Sequence, residues 1–299
     1  MRAWTVIVML CACQKAPAAA GGSASADANV APIADAAATA EIAETTQNAD
    51  AATPPKTFAK VETDWCIDGL EALDEDACYV LPKLAEGKPR RLLVYLHGIV
   101  PPLPTSTQKH TVHTIVMQAS TRAGAAAIVP RGRRGIGPSG AKDWYAWPTA
   151  PATHAQHAAA IIARWIELKK KVEERAGAPF ERTYLAGSSN GAYFIAALSM
   201  RSDLDEGGFA VDGFGAMSGG SAAGKSAAAL TGKTPRPYYV GFGTYDDETK
   251  VNAKSLVAVL TAAAWPLRVA EHAVGHGAKE IYLDEAFAFW DAQDVARPR

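Results

Sequence analysis

Six short apolar runs, each closed by turn-forming residues, limit what this chain can fold into more than any other feature of it. They are Arg90–His97 (RRLLVYLH), Ala125–Pro130 (AAAIVP), Arg182–Ala186 (RTYLA), Gly213–Met217 (GFGAM), Tyr238–Phe242 (YYVGF) and Leu267–His272 (LRVAEH). Runs this short and this continuously apolar suit strands covered on both faces, as in a parallel sheet. Helical patterns fall between most of them, at about 108–123, 153–175, 191–201, 250–264 and 283–293. In the longest, Ala158, Ile161, Ile162, Trp165, Leu168 and Val172 recur at helical spacing, with Gly177 and Pro179 to end it. The expected fold is therefore α/β, a doubly wound, mostly parallel sheet flanked by helices, over residues 61–299. Of the 299 residues 48% are hydrophobic, enough for one sizeable core. In such sheets function collects where the strands end.

At one strand end stands Gly187-Ser188-Ser189-Asn190-Gly191, a G-x-S-x-G sequence directly after a strand pattern and before a helical one. That context marks Ser189 as a nucleophile on a strained turn, its hydroxyl near a helix N-terminus where developing negative charge is favoured. A serine hydroxyl needs a base to take its proton. His276, in Gly275-His276-Gly277 after the last strand, is the candidate; His272 is its rival but lies inside a strand pattern. Between serine and histidine lies Gly243-Thr244-Tyr245-Asp246-Asp247-Glu248. A carboxylate there would orient the imidazole, Asp246 first and Asp247 next. An oxyanion hole needs two backbone donors. The amide of Asn190 is one; the other is placed at Ile99, or failing that Val100, in His97-Gly98-Ile99-Val100, since the prolines at 101, 102 and 104 cannot donate.

Taken together, the early LHG, the GSSNGA elbow, GTYD and the terminal GHG resemble the α/β-hydrolase family. They look closest to the secreted esterases related to polyhydroxyalkanoate depolymerases and feruloyl esterases. The resemblance covers about Arg90 to the C-terminus and implies ester hydrolysis through an acyl-enzyme, with no metal or organic cofactor. A serine peptidase of the same fold and a non-catalytic surface lipoprotein are the alternatives.

Residues 1–13 (MRAWTVIVMLCAC) carry one Arg and a short apolar run, an export signal too short to span a bilayer. Leu10-Cys11-Ala12-Cys13 resembles a bacterial lipobox, which names Cys13 as a lipidated residue ahead of Cys11. An exported, membrane-anchored lipoprotein, periplasmic or cell-surface, is expected, with membrane contact only through that lipid; the alternative is an ordinary secretory peptide cut elsewhere and a secreted protein. Residues 14–60, rich in Ala with Pro, Thr and acidic residues, read as a disordered tether. In an exported chain Cys66 and Cys78 suit a disulfide, with two free thiols as the alternative, and have too few neighbouring ligands for a metal. Thirty basic against thirty-one acidic residues leave a formal charge of -1, with no field that would attract nucleic acid.

Other signals compete. Gly219 to Ser226 (GGSAAGKS) matches the phosphate loop G-x-x-x-x-G-K-[ST]. Too little chain separates it from Gly232 and Pro235 for the helix such a loop requires, so it reads as a surface loop. Arg131, Arg133 and Arg134 read as solvated loop charges or as a clamp for an anionic substrate group. Trp144, Tyr145 and Trp147 either pack or wall a substrate pocket. His154 and His157 have no neighbouring carboxylate or Cys in sequence to make a metal site.

Overall fold

The computed structural model describes residues 58–138 and 140–296; the expected export signal, Cys13 and nearly all of the expected tether lie outside them. All six apolar runs are strands of one eight-stranded sheet: β3 (Arg91–Leu96), β4 (Ala126–Pro130), β5 (Arg182–Ser188), β6 (Gly213–Met217), β7 (Tyr238–Gly243) and β8 (Leu267–His272). These six pair in parallel. Two further strands, β1 (Glu71–Asp74) and β2 (Ala77–Val80), form an antiparallel hairpin that joins the sheet through β2 and β4. Sequence patterning missed this hairpin. Each strand has only four residues, and Asp74 within β1 is compensated by Arg164 and Lys171, some 90 positions away in the chain.

The spatial order is β1-β2-β4-β3-β5-β6-β7-β8. From β3 the chain steps one way to β4, crosses back to β5, and then advances steadily to β8. The crossing point lies between β3 and β5, the kind of reversal that opens a crevice beyond the carboxyl ends of the strands. Ser189 follows β5 and Ile99 follows β3, so they flank that crevice.

Helices cover both faces. On one lie α1 (Thr107–Ala123) and α6 (Glu280–Ala296); Val112 and Val116 of α1 and Tyr282, Phe287 and Trp290 of α6 pack with Leu93 and Tyr95 of β3. On the other lie α2 (Pro151–Ala176), α3 (Asn190–Ser199) and α5 (Asp247–Ala262), whose Ile162, Trp165, Phe194, Ile195 and Leu256 pack with Leu92 and Val94. A four-residue α4 (Asp203–Glu206) follows α3. The ends of these helices are written in the sequence. Ser106 caps α1 by accepting from the Lys109 amide, Pro151 opens α2, and Gly124 and Gly177 close α1 and α2 in the left-handed conformation that favours glycine.

Cys66 and Cys78 are joined in a disulfide, with Cα atoms 5.5 Å apart. The bridge ties the segment before β1 to β2 and holds Trp65 in the core, 2% exposed, its indole N–H on the Val129 carbonyl at 3.1 Å. Replacing both cysteines with Ser is expected to lower stability by about 3 kcal/mol, the cross-link's effect on an unfolded loop of this order. Thermal unfolding with and without reductant measures it, and coincident curves would refute it.

Candidate active site

At the end of β5 the chain turns into α3 through Ser189, which has φ 51° and ψ -121°. A non-glycine residue with positive φ is held there only by its surroundings. Those surroundings are close: a Cβ on Gly191 would lie 2.3 Å from the Leu96 carbonyl oxygen, and one on Gly187 2.4 Å from the same atom. The elbow therefore packs directly on the end of β3. The Ser189 side chain caps no helix amide and is half-buried, which leaves its hydroxyl free for other partners.

One partner is His276, whose Nε2 lies 2.9 Å from Ser189 Oγ. The other ring nitrogen, Nδ1, lies 3.0 Å from Asp246 Oδ2. Exposure differs along this line of three: the imidazole is 44% exposed and the carboxylate 1%. Asp246 also occupies the N-cap of α5, where Oδ1 accepts from the Thr249 amide and Oδ2 from the Thr249 hydroxyl. Burial opposes its ionisation, yet the hydrogen bonds from Thr249 and His276 outweigh it and hold the carboxyl below its ordinary range. Asp247, the second choice for this position, is exposed in the first turn of α5. His272, the rival histidine, stays in β8 with its Nε2 3.2 Å from Glu285.

The loop after β3 abuts the elbow, since a Cβ on Gly98 would come within 3.1 Å of Ser189 Cβ. Val100, the fallback donor, is excluded because its amide is already bonded to the Tyr145 carbonyl at 3.0 Å. The amides of Ile99 and Asn190 donate to no group among the described residues. His97 stands at the head of this loop, fully buried. Its Nε2 accepts from the Gly132 amide at 2.8 Å, so Nδ1 carries the proton and donates to the Gly98 carbonyl. Burial drives its pKa down to about 4 against the opposing effect of that bond to Gly98, and the ring is neutral at ordinary pH.

The remaining sequence signals resolve differently. Arg131 is paired with Asp64 and Asp76 and lies over the Tyr145 ring, so it holds the hairpin region and is no substrate clamp; Arg133 and Arg134 are exposed. Of the three aromatics, Trp144 is partly exposed and Trp147 is core. The phosphate-loop match is only partly surface. Gly219 and Gly220 are buried, with Gly219 wedged against the Ser189 backbone, and only a four-residue 3-10 turn (Ala227–Leu230) follows. His154 does have a carboxylate beside it, Asp203 at 3.1 Å, supplied by α4 across 49 residues. Among the described residues no group of three or more His, Cys, Asp and Glu side chains converges as a metal-ligating set.

Sequence reasoning missed Thr249 and the bonds that hold the loop after β3. Thr249 had a signal: it stands three positions after an Asp at the start of a helical pattern, which is capping spacing. The contacts of His97 reach residues 35 and 50 positions away and leave no local pattern.

No protein-family model matches the sequence, and no curated protein matches it significantly. Solved structures do. A variant of Arabidopsis thaliana SOBER1 superposes with a TM-score of 0.50 at 16% identity, over 69% of this chain and 99% of that one. Esterase PE8 gives 0.49 at 17% identity over 71% and 95%, and a carboxylesterase from Mesorhizobium loti 0.48 at 16% over 77% and 96%. At these identities the likeness is one of fold: the sheet and its helices are α/β-hydrolase-like.

Proposed function

We propose that this chain is a serine hydrolase cleaving carboxylic esters through an acyl-enzyme on Ser189. The observation that carries the proposal is the unbroken line Asp246–His276–Ser189, with both bonds at hydrogen-bonding distance. His276 Nε2 takes the Ser189 proton as Oγ attacks the ester carbonyl. Asp246, ionised and shielded, stabilises the imidazolium so formed. The oxyanion is received by the amides of Asn190 and Ile99, the first at the N-terminus of α3, where the helix dipole also favours negative charge. His276 then protonates the departing alkoxide, the alcohol leaves, and water activated by the same imidazole frees the acid. No step calls for a metal or an organic cofactor. The finer resemblance, to depolymerase-like and feruloyl-type secreted esterases, rests on the LHG, GSSNGA, GTYD and GHG segments.

The test is labelling with a fluorophosphonate probe together with a panel of aryl esters and matched anilides. Labelled Ser189 and turnover of the esters are expected. Cleavage of the anilides at comparable kcat/KM would favour a peptidase, and neither labelling nor turnover would favour a non-catalytic lipoprotein.

The proposal extends to location. Leu10 to Cys13 and the Cys66–Cys78 disulfide support a protein exported to an oxidising compartment and lipidated on Cys13. Mass spectrometry of the mature N-terminus should find a diacylglyceryl Cys13, lost in Cys13→Ala; an unmodified N-terminus would rule the anchor out.

A further inference from the structure

We infer that Trp147 and the Asn190 side chain are positioning residues that hold the two loops bearing the oxyanion amides in register, an assignment that rests on the esterase reading above. A trans peptide points its carbonyl and the next N–H in opposite directions, so holding a carbonyl aims the amide that follows it. Three consecutive peptides after β3 are held in this way. The Trp147 indole N–H donates to the His97 carbonyl at 2.8 Å and so aims the Gly98 amide. His97 Nδ1 donates to the Gly98 carbonyl and so aims the Ile99 amide. The Val100 amide on the Tyr145 carbonyl fixes the third.

The same tryptophan grips the elbow. Its backbone N–H donates to Asn190 Oδ1 at 2.6 Å, and its carbonyl accepts from Asn190 Nδ2 at 3.3 Å. Asn190 is 6% exposed and opens α3, and its own amide is the other oxyanion donor. One residue on the loop after β4 therefore registers the loop after β3 against the turn after β5. The sheet does not require these bonds, because they link three loops and no two strands. Burying an Asn against a backbone costs free energy unless both its ends are satisfied, and here both are. The indole itself is braced by the Phe194 ring, stacked at 6.2 Å, and by the edge of Trp165 at 6.1 Å.

Trp147→Phe separates positioning from packing, because it keeps a ring against Phe194 and removes the N–H. For an aryl ester we expect kcat to fall about 10- to 100-fold, approaching the loss of one oxyanion donor. KM should stay within about twofold, as for an interaction made only in the transition state. Affinity for a boronic acid that mimics the tetrahedral intermediate should fall with kcat, and amide exchange over residues 97–100 should quicken. Trp165→Phe, a like truncation one ring further from the site, should leave kcat and that exchange unchanged. If Trp147→Phe does not fold, Asn190→Ala removes the other half of the grip and should give the same pattern. Wild-type kcat, analogue affinity and exchange in the variant that folds would overturn the assignment. A wild-type protein without ester turnover or Ser189 labelling would instead refute the esterase reading. Exchange over 97–100 in Trp147→Phe would then decide by itself whether the indole holds the loop.

Discussion

Ser189→Ala is expected to lower ester turnover on the order of a million-fold, as loss of a nucleophile that works as a unit with its base does elsewhere. The fold should survive. The Ser189 hydroxyl caps no amide of α3, so its removal takes nothing from the helix. The backbone at φ 51° is held by the Ser189 amide on the Met217 carbonyl at 3.0 Å and by the packing of Gly187, Gly191 and Gly219, all of which Ala leaves intact. Turnover of an aryl ester and the thermal midpoint, measured on the same preparation, give the two numbers needed. An unchanged midpoint with activity at background is the expected pair. Activity near wild type would mean that the line of three side chains has another purpose.

The second large effect is that of Asp246→Asn, expected to lower kcat by about 10⁴. Asn has the shape of Asp but one end that donates. Turned to accept from Thr249, it presents its NH₂ to His276 Nδ1 and forces the proton onto Nε2, the nitrogen that must receive the serine proton. Turned the other way, it sets a donor against the Thr249 amide and loses the cap of α5. Asp247→Asn, one residue on but exposed, should keep turnover near wild type. Stability adds an independent check. Because the folded carboxyl titrates below its ordinary value of 3.8, its contribution is complete above that value and is lost as pH falls through the lower folded one. Asp246→Asn should therefore be less stable than wild type near neutrality, with the difference shrinking in strong acid. A constant difference across that range, followed by chemical denaturation, would contradict the assigned ionisation.

Much of the fold was legible because covered parallel strands must be apolar without interruption, and Leu92 to Leu96 or Tyr238 to Phe242 fit little else. The hairpin was not, because the neutralisation of Asp74 by Arg164 and Lys171 exists only after folding. At the site, Ser189 announced itself through two flanking glycines, and Asp246 and His276 through their order along the chain and their glycine-bordered loops. Trp147 illustrates the limit. In sequence it is one of three aromatics beside a basic loop and invites a reading as substrate wall or packing. Its contacts to His97 and Asn190 span 50 and 43 positions, and no spacing rule reaches that far. Arg131 errs in the other direction, a charge that reads in sequence as solvated or as a substrate clamp and is in fact spent on Asp64 and Asp76.

The crossing of the chain between β4 and β5 sets contributions to the candidate site from both halves of the chain side by side. Ser189 and the Ile99 and Asn190 amides belong to segments complete by the end of α3, whereas Asp246 and His276 follow β7 and β8. The elbow itself is set only with β6 in place, because the Ser189 amide donates to the Met217 carbonyl and Gly219 packs on the Ser189 backbone. The candidate triad closes with the last strand in chain order, since His276 lies beyond β8.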